Sequence, residues 1–332
     1  MDKKRLTIIA EIGSVHDGSF GNAMKAIEAA AACGADVVKF QTHMAEAETL
    51  PNAPMPSYFK GEPRLEYFRR TAFSLPQWKE IATHCAAQGV GFLSSPFALE
   101  AVDLLEEVGV QAYKIPSGEV SNLPLLEKVA GTGKLVYLSS GMSNWAELDA
   151  AVAVLRKGGP LVVMQCSSAY PCPPERVGLN VIQAMAGRYG IPAGFSDHTL
   201  GMAACVSAAA LGAVVVEKHF TFSKLMYGSD ARHSMEPAEF KQFCVTVREA
   251  ATIAAHPVDK DDLSDYREMK NIFEKSIVAA RAVRTGTALT HADLAFKKPG
   301  DGIGAARYSE LIGKRVLHDV PANHKFIWED FA

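Results

Sequence analysis

The chain has 332 residues, of which 48% are hydrophobic and 21% are charged, as in an ordinary globular protein that forms one large and one small domain. A formal net charge of -3 gives no basic surface for nucleic acid, and no apolar run approaches the roughly 18 residues of a membrane span. We therefore expect neither a nucleic acid nor a membrane as partner.

The N-terminal run MDKKRLTIIAEIG is predicted to be a buried first strand and not a secretory signal, because its apolar part is short and leads to Glu and Gly. Six scattered cysteines without paired metal-ligand spacing predict reduced thiols and a cytoplasmic location.

From residue 5 to about residue 255, short apolar runs alternate with amphipathic helical stretches, several of which end in Gly. The eight runs are LTIIAEI, DVVKFQ, VGFLSS, QAYKIP, KLVYLSS, PLVVMQCSS, IPAGFS and AVVVEKHF. Their nearly continuous Val, Ile and Leu content is typical of parallel strands buried on both faces. Eight strand–helix units predict a (β/α)8 TIM barrel over residues 1–256. A doubly wound open sheet is the alternative, although it usually has fewer strands and no GxGxxG follows the first strand.

Two segments fall outside the regular alternation. Residues 42–75 form a long insertion after the second strand, on the side where a barrel has its active site, and we expect a loop that shapes that site. After residue 256 the sequence predicts a linker at 257–274, followed by a small separate domain at 275–332 whose short runs are broken by Gly and Pro.

Polar residues recur at the ends of the predicted strands. Because side chains alternate between the two faces of a strand, residues two apart share a face. The pairs are Lys39 with Gln41, Ser168 with Tyr170, Ser196 with His198, and Glu217 with His219, while Glu11 and Lys114 lie on the first and fourth strands. One such residue is more often structural than functional, but this many on a single rim favours an active site, since buried polar groups are costly without partners.

The residue types indicate the chemistry. Two lysines and a set of serine hydroxyls suit a ligand that carries both a phosphate and a carboxylate; the serines are Ser95, Ser117, Ser139, Ser168 and Ser196. His198 and His219 could ligate one divalent metal ion with open positions for substrate. Glu11 and Glu217 are candidates for proton transfer, or for ion pairs with Lys39 or Lys114.

The sequence resembles the sialic acid synthase family along nearly its whole length. The motifs that carry the resemblance are AEIGSVHDG (10–18), VVKFQ (37–41), YKIPSGE (113–119), LSSGM (138–142), AYPCPP (169–174), GFSDHT (194–199), VEKHFT (216–221) and GSDARHSM (228–235). The C-terminal segment is similar to the antifreeze-like (SAF) domain of that family, a β-clip domain, with KKPGDGIG (297–304) in place of its substrate-contacting loop.

The resemblance implies an activity and a role for each matching residue. It implies that phosphoenolpyruvate condenses with an N-acetylmannosamine-like sugar aldehyde and releases phosphate, in a homodimer whose C-terminal domains are swapped. The implied phosphoenolpyruvate contacts are Lys39, Ser95, Lys114, Ser117, Ser139, Ser168 and Ser196, and the implied sugar contacts are Gln41, Tyr170, Asp230 and Lys298. Glu11 and Glu217 match the acidic residues near the reacting carbons. His198 and His219 match the ligands of a divalent ion, which we expect to be Mn²⁺, with Mg²⁺ and Co²⁺ as alternatives.

The chain departs from the family pattern at three positions. Val15 precedes His16 where the family commonly has Asn, and Ser168 stands where it often has Asn. Lys298 replaces an Arg that reaches the acyl group of the sugar, which leaves the identity of the sugar open, since Lys lacks the planar fork of Arg.

Two other functions remain open from the sequence. One is a class I aldolase that uses Lys114 or Lys39 as a Schiff-base nucleophile. The other is a non-catalytic polysaccharide- or ice-binding protein that works through its C-terminal domain. Phosphate release from phosphoenolpyruvate would distinguish the predicted synthase from both.

Overall fold

A computed structural model of the protein describes residues 6–54 and 61–332. The chain divides into two compact units, Met1–Pro257 and Val258–Ala332. The predicted linker, 257–274, contains a short helix and clusters mainly with the second unit.

Eight parallel strands in the first unit close into a barrel in sequence order. They are β1 Thr7–Gly13, β2 Val37–Thr42, β3 Gly91–Pro96, β4 Ala112–Ile115, β5 Leu135–Ser139, β6 Leu161–Cys166, β7 Ala193–Asp197 and β8 Val215–His219. The predicted (β/α)8 barrel is therefore confirmed, and the closed strand order excludes the doubly wound sheet.

Helices follow the strands in the alternation that the sequence predicts. They are α1 Phe20–Cys33, α2 Ala45–Glu48, α3 Arg64–Thr71, α4 Leu75–Ala87, α5 Leu99–Val108, α6 Leu123–Gly131, α7 Trp145–Leu155, α8 Asn180–Tyr189, α9 Ala203–Ala210 and α10 Pro237–Ala255. The first begins where the Ser19 side chain accepts from the amide of Asn22 and ends at Gly34, which has a left-handed φ of 99°. Helices α2 and α3 lie in the predicted insertion, of which residues 55–60 are outside the described part of the chain.

The strand alternation creates two apolar layers. On β1, Ile8, Ala10 and Ile12 pack outward against the helices, whereas Ile9 belongs to a cluster inside the barrel. The other buried members of that inner cluster are Leu93, Tyr137, Val162, Met164 and Val215. Because this apolar layer fills part of the barrel interior, the inward polar residues that follow on the same strands gather toward their carboxyl ends.

The second unit has a small apolar core of its own, which includes Ile277, Leu289, Leu311 and Phe326. Its elements are α11 Arg267–Phe273, β9 Ser276–Ala279, β10 Leu294–Lys297 and α12 Tyr308–Leu311, and its two strands pair antiparallel. None of the helices in the described ranges is long and apolar enough to cross a membrane.

Candidate active site

A cavity of about 370 Å³ is lined by residues at the carboxyl ends of the barrel strands. The predicted site residues that line it are Glu11, Lys39, Gln41, Lys114, Ser117, Ser139, Ser168, Tyr170, Ser196, His198, Glu217, His219 and Asp230. The strand alternation therefore brings most of the predicted site together in one pocket.

The charged part of this pocket consists of two lysines and two glutamates, all nearly inaccessible to solvent. Lys114 Nζ lies 2.9 Å from Oε1 and 2.8 Å from Oε2 of Glu217. Lys39 Nζ lies 3.2 Å from Oε1 of both Glu11 and Glu217. These distances show the ion pairs with Lys39 and Lys114 that the sequence analysis gave as one interpretation of the two glutamates.

The two glutamates have different electrostatic surroundings. Burial raises the pKa of Glu11, and this outweighs the opposing charge of Lys39, while the Glu217 charge adds to the increase. Burial also acts to raise the pKa of Glu217, but Lys114 and Lys39 together bring it down to about 2. Glu217 is therefore ionised at neutral pH, whereas Glu11 is the carboxyl group better able to hold a proton.

Four buried polar atoms on inward-facing side chains lack a hydrogen-bond partner among the described residues. They are Oε2 of Glu11, Oγ of Ser95, Oγ of Ser139 and Nδ1 of His219. Three of these side chains, Glu11, Ser139 and His219, line the cavity. Buried polar groups in folded proteins are nearly always satisfied, so such a concentration indicates a ligand-binding site.

His198 and His219 fit a divalent metal ion by the chemistry of their nitrogens. Nδ1 of His198 lies 2.8 Å from the carbonyl oxygen of Ser167, which leaves Nε2 as the nitrogen with a lone pair. The two imidazole centroids are 5.6 Å apart. Burial lowers the pKa of His219 to about 4, which favours the neutral ring that a metal requires. Burial also acts to lower the pKa of His198, but its contact with Cys166 outweighs this effect and the pKa is raised. The Tyr170 hydroxyl, 2.9 Å from Nε2 of His198, would have to move away from that nitrogen.

Two predicted site residues stand apart from this cavity. Ser95 lies on the inward face of β3 and is fully buried, but it is not among the residues that line the cavity. Lys298 belongs to the second unit, where its Nζ lies 4.7 Å from the centroid of the Phe273 ring.

The cavity also has lining residues that the sequence reasoning missed. Cys166 ends β6 on the same face as Met164, so the alternation rule could have found it. His43, Arg64, Phe68 and Phe97 form one wall. They come from the segment after β2 and the end of β3, where strand alternation gives no direction for a side chain.

A second group of possible metal ligands lies in the C-terminal unit. Nε2 of His318 is 3.0 Å from one oxygen of Asp330, and Nε2 of His324 is 2.8 Å from the other. Because these three side chains could bind an added transition metal, measurements of metal content must distinguish them from His198 and His219.

The chain is similar to proteins of one known family along nearly its whole length. A model of the NeuB family matches residues 26–258, and one of the SAF domain matches residues 274–332. The chain is 38% identical to the N,N'-diacetyllegionaminic acid synthase of Campylobacter jejuni, with 94% of this chain and 96% of that protein covered. It is 34% identical to the N-acetylneuraminate-9-phosphate synthase of Homo sapiens, with coverages of 93% and 88%. A crystal structure of N-acetylneuraminic acid (sialic acid) synthetase from Leptospira borgpetersenii, in complex with citrate, matches with a TM-score of 0.73 and 28% identity and covers 80% of this chain and 90% of that one.

Proposed function

Since the chain belongs to the NeuB family, we propose that it condenses phosphoenolpyruvate with an N-acetylmannosamine-like sugar aldehyde, releases phosphate and forms a sialic-acid-like nonulosonic acid. The observation that carries the proposal is the buried group of two lysines and two glutamates beside unpartnered serine hydroxyls. Lysines and serines together suit the phosphate and the carboxylate of one small ligand.

Phosphoenolpyruvate would share the two lysines with the glutamates that already pair with them. Lys39 and Lys114 supply charge, while Ser139 and Ser196 supply directional donors. Ser117 and Ser168 border the same cavity and extend this set. Ser95 faces the same interior, and its unpartnered hydroxyl is assigned to the same ligand.

The protonation states assign different tasks to the two glutamates. Glu217 stays ionised between its lysines, so it stabilises the positive charge that develops on phosphoenolpyruvate when its methylene carbon attacks the aldehyde. Glu11, whose pKa is raised, can give a proton to the aldehyde oxygen and accept one from the attacking water. The tetrahedral adduct then collapses to a ketone: the bond between its carbon and the phosphate oxygen breaks, and the hydroxyl proton passes to the departing phosphate.

His198 and His219 are proposed to hold one divalent ion. Mn²⁺ is the ion we expect, and Mg²⁺ and Co²⁺ are the alternatives. When bound, this ion supplies Lewis-acid polarisation of the aldehyde.

We expect chelator-treated protein to lose turnover and to regain it with Mn²⁺. We also expect His219→Ala to remain inactive at any metal concentration, because a site with two imidazoles has no spare protein ligand. Metal content is measured in a His318→Gln/His324→Gln background, so that bound ions report on the barrel alone. Full turnover of the chelated protein would contradict the metal role.

The sugar is proposed to lie against Gln41, Tyr170 and Asp230, with Lys298 contributing from the C-terminal domain. The relative from Campylobacter jejuni is named for N,N'-diacetyllegionaminic acid, and this name makes diacetamido sugars candidate substrates. The test is phosphate release from phosphoenolpyruvate with N-acetylmannosamine, mannose and diacetamido-trideoxyhexoses in turn. Release with none of them would overturn the proposal, and borohydride trapping of Lys114 or Lys39 would favour the aldolase instead.

We further infer a homodimer in which each C-terminal domain completes the barrel of its partner. Apolar side chains in the segments after β2, β5 and β8 are well exposed, namely Leu50, Met142 and Leu225 at 74%, 64% and 95%. Exposed apolar side chains around a catalytic pocket are typical of a surface that another domain covers. All six cysteines are free, which supports a reducing compartment such as the cytoplasm.

A further inference from the structure

His43 is held in a stack of aromatic rings beside the sugar side of the cavity. Its ring centroid lies 3.7 Å from that of Phe68, at an interplanar angle of 10°, and 4.2 Å from that of Phe97, at 19°. The guanidinium carbon of Arg64 lies 5.3 Å from the Phe68 centroid. Because phenyl rings cover both of its faces, the imidazole can interact with polar groups only through its edge.

Both nitrogens on that edge have acceptor oxygens next to them. Nδ1 lies 2.8 Å from Oε1 of Glu48, whose side chain is 4% exposed, and Nε2 lies 3.0 Å from Oε1 of Gln41. The Gln41 amide in turn donates from Nε2 to Oε1 of Glu11 at 2.8 Å. The result is a continuous chain from Glu48 through His43 and Gln41 to Glu11.

The polarity of this chain follows from what each group can donate. In the observed orientation the Gln41 amide donates to Oε1 of Glu11, which can accept whether or not Oε2 carries a proton, while Oε1 of Glu48 faces Nδ1 of His43. The carbonyl oxygen of Gln41 must then point to His43, where it accepts from Nε2. Without a donor at His43, nothing would hold the oxygen of the Gln41 amide on that side. The amide could then rotate by 180°, so that its NH₂ group and its oxygen exchange positions.

We propose that His43, held by Glu48 and the aromatic stack, is a positioning residue that fixes which end of the Gln41 amide donates and which accepts. This inference rests on the proposed function, in which Gln41 contacts the sugar. The amide then offers the sugar a free N–H on the Glu11 side and a free carbonyl lone pair on the His43 side. A sugar with a hydrogen-bond acceptor on the Glu11 side and a hydroxyl donor on the His43 side is therefore favoured over a sugar with these two groups exchanged.

The test is a double-mutant cycle with His43→Phe and Gln41→Leu. Phenylalanine keeps an aromatic ring between Phe68 and Phe97 but has no nitrogen. We expect His43→Phe to lower kcat/KM for the sugar by about tenfold, with little change in KM for phosphoenolpyruvate. In the Gln41→Leu background the same change should have no further effect, because the group that His43 positions is gone. His43→Gln, which can place an amide donor near the position of Nε2, should restore most of the loss.

The outcomes separate the alternatives. An equal loss from His43→Phe in both backgrounds means that His43 does not act through Gln41, which overturns the inference. An equal rise in KM for both substrates indicates a general structural role and also overturns it. If His43→Phe fails to fold, Glu48→Gln replaces it in the cycle, since it weakens the hold on Nδ1 and leaves the stack filled. Absence of wild-type phosphate release with every sugar would instead contradict the proposed function itself.

Discussion

Gly141 lies beside two serine hydroxyls of the candidate phosphoenolpyruvate site. A Cβ at this position would be 2.4 Å from Oγ of Ser168 and 2.6 Å from Oγ of Ser117, so a methyl group would displace both hydroxyls. We expect Gly141→Ala to raise KM for phosphoenolpyruvate by about tenfold, the equivalent of one hydrogen bond. Gly187→Ala, in helix α8 with nothing within 4 Å of the added carbon, is the matched control and should leave KM unchanged. An unchanged KM in Gly141→Ala would show that Ser117 and Ser168 do not contact phosphoenolpyruvate.

We expect His16 to make the stability of the barrel dependent on pH. Its ring lies 4.5 Å from that of Phe73, and Nδ1 accepts the amide proton of Gly18. Burial, with a smaller effect from the charge of His43, lowers the pKa of His16 from 6.5 to about 4. Between these values the unfolded chain binds a proton that the native protein does not, so the free energy of unfolding falls as pH drops from 6.5 toward 4.

The loss between pH 7 and pH 5 should be as much as about 2 kcal/mol from this residue. We expect His16→Gln to reduce the difference between urea unfolding free energies measured at the two pH values. His256→Gln, which changes an exposed histidine, is the matched control. An equal pH dependence in wild type and His16→Gln would show that His16 is not the group responsible.

At the scale of elements, the loop after β7 is held by a lysine on the outer face of β8. Lys218 is fully buried, and its Nζ donates to Oδ2 of Asp197 at 2.7 Å and to the carbonyl oxygens of Thr199 and Gly201. The contacts lie on both sides of His198 in the sequence, so Lys218 fixes the backbone that carries this candidate metal ligand.

Replacing Lys218 should therefore be costly. Lys218→Met leaves the buried Asp197 carboxylate without its cation, and we expect a loss of about 3–5 kcal/mol in the free energy of unfolding. Lys25→Met removes a lysine from an exposed i,i+3 pair with Glu28 and should change stability by less than about 0.5 kcal/mol. Chemical denaturation of both variants gives the comparison. A loss no larger for Lys218→Met than for Lys25→Met would mean that this buried pair does not hold the loop.

The elements also show what the sequence could predict about the site and what it could not. The period of two in a strand is set by backbone geometry, so Glu11, Lys39 and Glu217 could be assigned to the interior from the sequence alone. His43 follows β2, and its direction depends on Phe68 and Phe97, which come from different segments. Sequence patterns contain no such long-range packing information, and the aromatic wall was therefore missed.

For the whole molecule, the predicted barrel and the resemblance to the sialic acid synthase family are confirmed by the closed strand order and by the NeuB and SAF matches. The domain swap stays a prediction. Lys298 precedes a loop that Ser276 holds, since its hydroxyl donates to the carbonyl oxygen of Pro299 and accepts from the amide of Gly302. A loop held in this way inside the C-terminal unit is suited to present Lys298 to another surface.

Mixing two inactive variants tests whether Lys298 acts on the partner subunit. One chain carries Lys298→Ala and the other His219→Ala, and each alone should be nearly inactive. If the C-terminal domain acts in trans, a mixed dimer has both lesions in one active site and none in the other. Random exchange makes about half of the dimers mixed, each with one intact site of two, so about a quarter of wild-type activity should return. Subunit exchange is verified by mass spectrometry of differently tagged chains, and exchange without recovery would show that Lys298 works on its own barrel.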